Sequence, residues 1–146
     1  MRVAGASLAA LLPHAGAMCL LDAVEAWDER RIVCISARHR DAGGNPLAEH
    51  GRLSPLVGIE LAAQAMAAHG ALVAGTRRPM SGWLARVRDC VVQCERMDGL
   101  PAPLVIEAER VGGSDRALSY QFVLRAGAEV VLSGSALVAL MPDATA

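Results

Sequence analysis

The chain has 146 residues, 53% of them hydrophobic and 20% charged, with a formal net charge of -1. That length suits one domain with a sizeable core, and the apolar fraction excludes a disordered chain. The charge balance offers no basic field for nucleic acid, and an aromatic content of 3% leaves no base-stacking platform.

Met1-Arg2, the Ala/Leu-rich run after it and Ala15-Gly16-Ala17 imitate a secretory leader. Pro13-His14 interrupts that run, and the segment continues directly into a patterned strand, so it reads as part of the domain. Residues 7–12 predict a short helix or turn. Residues 18–24 predict a first strand, 27–30 a polar turn, and 31–38, rich in β-branched residues, a second strand completing a hairpin. Residues 39–53 predict a loop built on Asp41, Gly43-Gly44, Asn45-Pro46, Glu49, His50 and Arg52. A loop of that length in a compact domain is often functional.

The stretch from Ser54 to Gly75 predicts a long helix. Ser54 is a suitable N-cap, Pro55 suits the first helical position, and Gly75 supplies the C-terminal stop. Its body carries only three polar side chains, Glu60, Gln64 and His69. A helix apolar on every side is either a membrane span or the buried centre of a domain. The stretch is long enough to cross a bilayer. Its Ala/Gly-rich composition, the carboxylate and amide inside it, and the soluble-looking sheet that follows favour the buried centre, with no membrane span.

Beyond a basic connector at 76–79, the period changes to that of strands: 82–94, 104–111, 117–125 and 129–141, separated by turns at 97–103, 112–115 and 126–128. Pro142 closes the last strand. The four cysteines, Cys19, Cys34, Cys90 and Cys94, lie in apolar contexts without metal-ligand spacing. They read as small buried hydrophobes in a reducing cytoplasm. His39 reads as a surface residue and His69 as a helix-end residue. The order is a hairpin, one long helix and a four-strand antiparallel meander. A helix apolar all round is best covered by a single curved sheet, and the open sheet edges favour pairing with a second copy. The expected architecture is α+β, a single domain over residues 1–146.

Three motifs in this order resemble the hotdog-fold β-hydroxyacyl-[acyl-carrier-protein] dehydratases. Leu12-Pro13-His14 with 18–24 resembles their opening "LPHR…(F/M)LLVDRV". Ile59-Glu60-Leu61-Ala62-Ala63-Gln64-Ala65 resembles the helix motif "(I/L)EAMAQ", and Gly82-Trp83-Leu84-Ala85 the strand after it. Within that superfamily the chain is most similar to the dehydratase-like proteins of aryl-polyene and related type II fatty-acid or polyketide pathways. The resemblance implies a hotdog fold, a long helix wrapped by a sheet of about five to six strands. It implies dehydration of a 3-hydroxyacyl thioester on acyl carrier protein or coenzyme A, no cofactor and no metal. It also implies a dimer, with a second copy or with another hotdog chain.

In that family a loop histidine takes a proton from C2, and a helix carboxylate from the other protomer helps the C3 hydroxyl leave. By motif position Glu60 matches the carboxylate and Gln64 the glutamine, which sits one turn on and is placed to orient it. Burial near Leu56, Val57, Ala63 and Gln64 is expected to favour the neutral acid form that a proton donor needs, and the positive end of the helix to oppose it by favouring the carboxylate. His50 is the candidate for the loop histidine. It precedes Glu60 by ten residues, a shorter interval than in the family, and the family's Gly-Phe-Pro-Gly element is missing. Ser54-Pro55 replaces the family's Pro-Gly at the helix start, so the N–H of Leu56 or Val57 would have to polarise the thioester carbonyl. His14 matches a family position and reads as structural, orienting the N-terminal turn. Arg77, Arg78, Arg86 and Arg88 form a candidate basic dock for an acidic carrier protein. Two alternatives stay open, a hotdog thioesterase and a non-catalytic subunit partnering an active dehydratase.

Overall fold

A computed structural model describes residues 2–13, 16–41, 43–75 and 82–140. The expected elements at His14, at the 76–79 connector with Arg77 and Arg78, and at Met141-Pro142 lie outside the described residues. The chain forms β1 (Val3–Ala4), α1 (Gly5–Ala9), β2 (Ala23–Trp27), β3 (Arg31–Ser36), α2 (Val57–Ala74), β4 (Gly82–Val92), β5 (Leu104–Gly113), β6 (Ala117–Ala126) and β7 (Glu129–Leu140). All strands join one antiparallel sheet in the order β1-β2-β3-β5-β6-β7-β4. The described residues form seven strands rather than the expected five to six, because the two residues of β1 pair with Ala23 and Val24. After α2 the chain crosses to the far edge, where, among the described residues, β4 pairs on one side with β7 and on the other with no strand.

The alternation in β5 shows why the sheet faces the helix as it does. Leu104, Ile106 and Ala108 are buried, while Val105, Glu107 and Glu109 point away from the core. Ile32, Cys34, Leu124 and Leu132 extend the same buried face. Leu61, Ala62, Ala65, Met66 and Ala68 of α2 pack into it. Gly58 makes the close approach at the start of the helix. A Cβ there would meet Leu132 Cδ2 at 2.7 Å and Leu124 Cδ2 at 2.9 Å. By length and mean hydropathy (1.3) α2 would pass for a membrane-crossing helix, but half of it is buried against this sheet.

Three expected features take a different form. Regular helix starts at Val57, not at Pro55. The bonds Val57 N to Ser54 O (3.1 Å), Gly58 N to Pro55 O (2.9 Å) and Ile59 N to Leu56 O (3.0 Å) wind the entry into a tighter i→i+3 turn. The expected strand at 18–24 pairs only from Ala23 onward. Residues 16–18 form a 3₁₀ turn, and the backbone of Met18 and Leu20 bonds to side chains instead of to a ladder. Cys90 is exposed rather than buried, because β4 forms the edge of the sheet. At the helix end, Gly75 has φ 73 and closes α2 as expected.

Candidate active site

The sheet does not cover α2 completely. Glu60, Ala63, Ala67 and Gly70, spaced by three or four residues, are half-buried along one stripe. They form one wall of a cavity of about 270 Å³. Trp83 and Leu84 of β4, Leu118 and Tyr120 of β6, and Val138 and Leu140 of β7 form the other wall. Among the described lining residues, Glu60 is the only acid, and Gln64, Tyr120 and the Trp83 indole bring the other polar side-chain atoms.

Gln64 holds this acid in place. It is 1% exposed, and every group of its amide is engaged. Leu20 N–H donates to Oε1 at 2.9 Å, while Nε2 donates to Met18 O at 2.7 Å and to Glu60 Oε1 at 3.2 Å. One turn of helix separates Gln64 from Glu60, so their side chains meet on one face. The same amide pins residues 18–20 across the helix. Gln64 lines the cavity, as expected of a substrate neighbour, and its hydrogen bonds make it a positioning residue.

Glu60 also lines a second cavity of about 350 Å³, together with Met18, Leu47, Ser54, Leu56 and Val57. Leu56 is 57% exposed at its mouth. The two N–H groups expected to polarise a carbonyl are already committed to Ser54. Leu56 N donates to Ser54 Oγ at 3.2 Å and Val57 N to Ser54 O at 3.1 Å. In this arrangement Leu56 and Val57 present their apolar side chains to the cavity.

His50 lies in a third cavity of about 620 Å³, lined also by Glu49, Arg52, Glu95 and Arg96. This cavity shares Leu47 and Ser54 with the second one, which in turn shares Glu60 with the first. Within one chain His50 and Glu60 therefore stand in different cavities of an adjoining series. The shortened loop has a specific form. Glu49 and Arg52 exchange backbone bonds of 2.8 and 2.9 Å around His50 (φ 52) and Gly51 (φ 73). Two successive positive φ values are the mark of a type I′ turn. His50 sits exposed at its tip. The loop's end is clamped, with Leu53 N donating to Asp98 Oδ1 at 3.0 Å and Met97 N to Leu53 O at 2.8 Å. The Arg96 guanidinium, and then the Leu53 N–H, hold the Asp98 carboxyl well below the usual carboxylate range.

Two histidines are placed differently from the sequence reading. His39 is 2% exposed, its Nε2 donating to Leu100 O at 3.0 Å. His69 is fully buried, at 0% exposure. Its Nε2 faces the carbonyl of Asp28 at 2.8 Å, which can only accept. Nδ1 therefore accepts from the Tyr120 hydroxyl at 2.7 Å. Tyr120 in turn accepts from Arg110 Nη2 at 2.9 Å. Burial pushes His69 below the ordinary histidine value and Tyr120 above the ordinary phenol value. This network pins α2 to β6 at the far end of the first cavity. The signal in the sequence was His69 itself, a polar residue in an apolar helix that must find a buried partner.

Comparison with known proteins agrees with this geometry. The dehydratase heterocomplex ApeI:P from Xenorhabdus doucetiae has a chain that superposes with a TM-score of 0.80 at 19% identity, over 95% of this chain and 93% of that one. AziG from S. sahachiroi gives a TM-score of 0.61 at 16% identity, over 83% and 90%. A thioesterase from Staphylococcus aureus gives 0.59 at 10% identity, over 82% and 92%. These likenesses show the hotdog fold. No curated protein matches the sequence. The family model for ApeP-like proteins, described as ApeP dehydratase, matches residues 6–146. Matched by that model over residues 6–146, the chain belongs to the ApeP-like dehydratase family.

Proposed function

We propose that the chain dehydrates 3-hydroxyacyl thioesters carried on acyl carrier protein, releasing trans-2-enoyl thioesters, as one half of a two-hotdog assembly. Glu60 carries this reading, as the one acid that the described residues place in an apolar cavity, held by Gln64. In the reaction the C2–H proton passes to the imidazole of a loop histidine, and its electron pair forms the C2=C3 bond. The C3–O bond breaks, and the hydroxyl takes a proton from the Glu60 carboxyl and leaves as water. Glu60 ends as a carboxylate and the histidine as imidazolium, and the proton returns between them through solvent.

His50 is the histidine this chain offers to that role, working across the seam with the partner's helix carboxylate, while Glu60 works with the partner's loop histidine. Its separation from Glu60 within one chain supports that arrangement. The edge of β4, unpaired among the described residues and with Trp83, Val91 and Val92 exposed, offers a seam for the partner. The likeness to a dehydratase heterocomplex supports a different hotdog chain as that partner over a second copy. Leu56 and Val57 flank the thioester end through their side chains, and exposed Arg86 and Arg88 on β4 face an acidic carrier. The four free thiols suit a reducing cytoplasm.

A second reading is a non-catalytic subunit that shapes the cavity of an active partner, favoured by the exposed position of His50 on a turn tip. The deciding experiment incubates 3-hydroxyacyl carrier protein and the coenzyme A thioester with the chain, alone and with a hotdog partner, and follows enoyl product and free thiol. Enoyl formation that Glu60→Gln lowers by about 10²–10⁴-fold supports the dehydratase. Thiol without enoyl points to a thioesterase. Full dehydration by the Glu60→Gln assembly assigns the chemistry to the partner.

A further inference from the structure

We propose that Ala67 and Gly70 set the longest acyl chain the first cavity accepts. This rests on the dehydratase reading for the identity of the occupant. The helix wall of the cavity runs from Glu60 to Gly70, about 15 Å at 1.5 Å per residue. At 63, 67 and 70 the wall is built of methyl groups or a hydrogen, so the helix surface is an open groove along its axis. Trp83 and Leu84 face it from β4 and Val138 and Leu140 from β7.

The polarity along the groove is one-sided. Glu60 and the Gln64 amide stand at one end, while the Tyr120 hydroxyl at the other is occupied by His69 and Arg110. The matching occupant is polar at its thioester end and apolar and unbranched beyond it. With C3 at Glu60, the tail then runs toward Gly70. A fully extended alkyl tail, with C–C bonds of about 1.5 Å, advances about 3.8 Å per three bonds. Ala67, about 10 Å beyond Glu60 along the axis, therefore meets the tail roughly eight bonds past C3, and Gly70 meets it about a dozen bonds past C3. A larger side chain at either position blocks tails that reach it and spares shorter ones. One misplaced methylene in a fitted pocket changes selectivity by about 10–200-fold.

The test uses the purified full chain carrying Trp27→Phe, which leaves Trp83 in the groove as the sole tryptophan, excited selectively over tyrosine. Saturated butanoyl, octanoyl, dodecanoyl and hexadecanoyl pantetheine are titrated against this protein, Ala67→Leu and Gly70→Leu. Ala67→Leu is expected to weaken dodecanoyl and hexadecanoyl binding at least about tenfold and leave butanoyl within about twofold. Gly70→Leu is expected to weaken hexadecanoyl alone. Equal loss at every length, or no loss at any, overturns the assignment. If either leucine variant fails to fold, Gly70→Ala decides, since alanine is the better helix former. It must selectively weaken hexadecanoyl, and an unchanged hexadecanoyl affinity rejects Gly70. Turnover of the 3-hydroxy series is followed in parallel with the hotdog partner present. Length-selective binding without enoyl product would sink the dehydratase reading and keep the ruler. Enoyl product with no shift in length preference would sink the ruler alone.

Discussion

Replacing Gln64 with leucine keeps the bulk of the side chain and removes its hydrogen bonds. The site is 1% exposed, so water does not readily take over. Leu20 N–H loses an acceptor at 2.9 Å and Met18 C=O loses a donor at 2.7 Å. A buried backbone group left unpaired costs about 1–3 kcal/mol, so the two together cost about 2–6 kcal/mol. The added apolar burial of leucine returns on the order of 1 kcal/mol. A net loss of about 1–5 kcal/mol is expected. Urea unfolding followed by circular dichroism measures it. At a slope of about 2 kcal/mol/M, the midpoint should fall by roughly 0.5–2.5 M at unchanged slope. In the dehydration assay the same variant should lower kcat more than it raises KM, because the Glu60 carboxyl loses the donor at 3.2 Å that orients it. Gln64→Glu is the control. It can still accept from Leu20 but cannot, as a carboxylate, donate to Met18, and it sets a second carboxyl beside Glu60. A change below about 0.5 kcal/mol for Gln64→Leu, the range of an ordinary surface substitution, would refute the claim that Gln64 holds residues 18–20 and the acid together.

The His50 turn separates chemistry from folding. Asparagine followed by glycine is a favoured type I′ pair, so His50→Asn should match or exceed the parent in thermal stability while dehydration falls about 10²–10⁴-fold. Retained activity would remove His50 from the mechanism. The buried His69 predicts an acid limb in stability. Its folded-state affinity for a proton lies below the ordinary value of 6.5 because burial disfavours the charge. The unfolded chain therefore takes the proton first, and the stabilisation is full above about pH 6.5 and declines as pH falls below it toward the lowered folded value. Thermal melts of His69→Gln across that window should show a flatter pH dependence than the parent. His39, lowered by burial in the same way, contributes the remainder.

The placement of His50 and Gln64 shows where sequence reading reached its limit. Gln64 was legible because its spacing from Glu60 is local, one turn of one helix. Its anchorage to Met18 and Leu20 was not, since those partners are 46 and 44 residues away. The same contact explains the lost strand at 18–22: the apolar run predicted a ladder, and a buried amide took its backbone groups instead. The loop before α2 read as polar, but nothing local marked His50-Gly51 as a type I′ turn, because histidine adopts positive φ less readily than the asparagine usually found there.

The sequence by itself determined the order of elements, the long central helix, its stop at Gly75 and the carboxylate within it, because periodicity, caps and turn residues act over a few positions. Only the tertiary structure decided which stripe of that helix stays uncovered, since that depends on β4 crossing to the far edge of the sheet. It alone decided that His69 and His39 are buried, that the N–H groups of Leu56 and Val57 are already engaged, and that His50 and Glu60 of one chain line different cavities. These are contacts between segments far apart in the chain, and no local pattern encodes them.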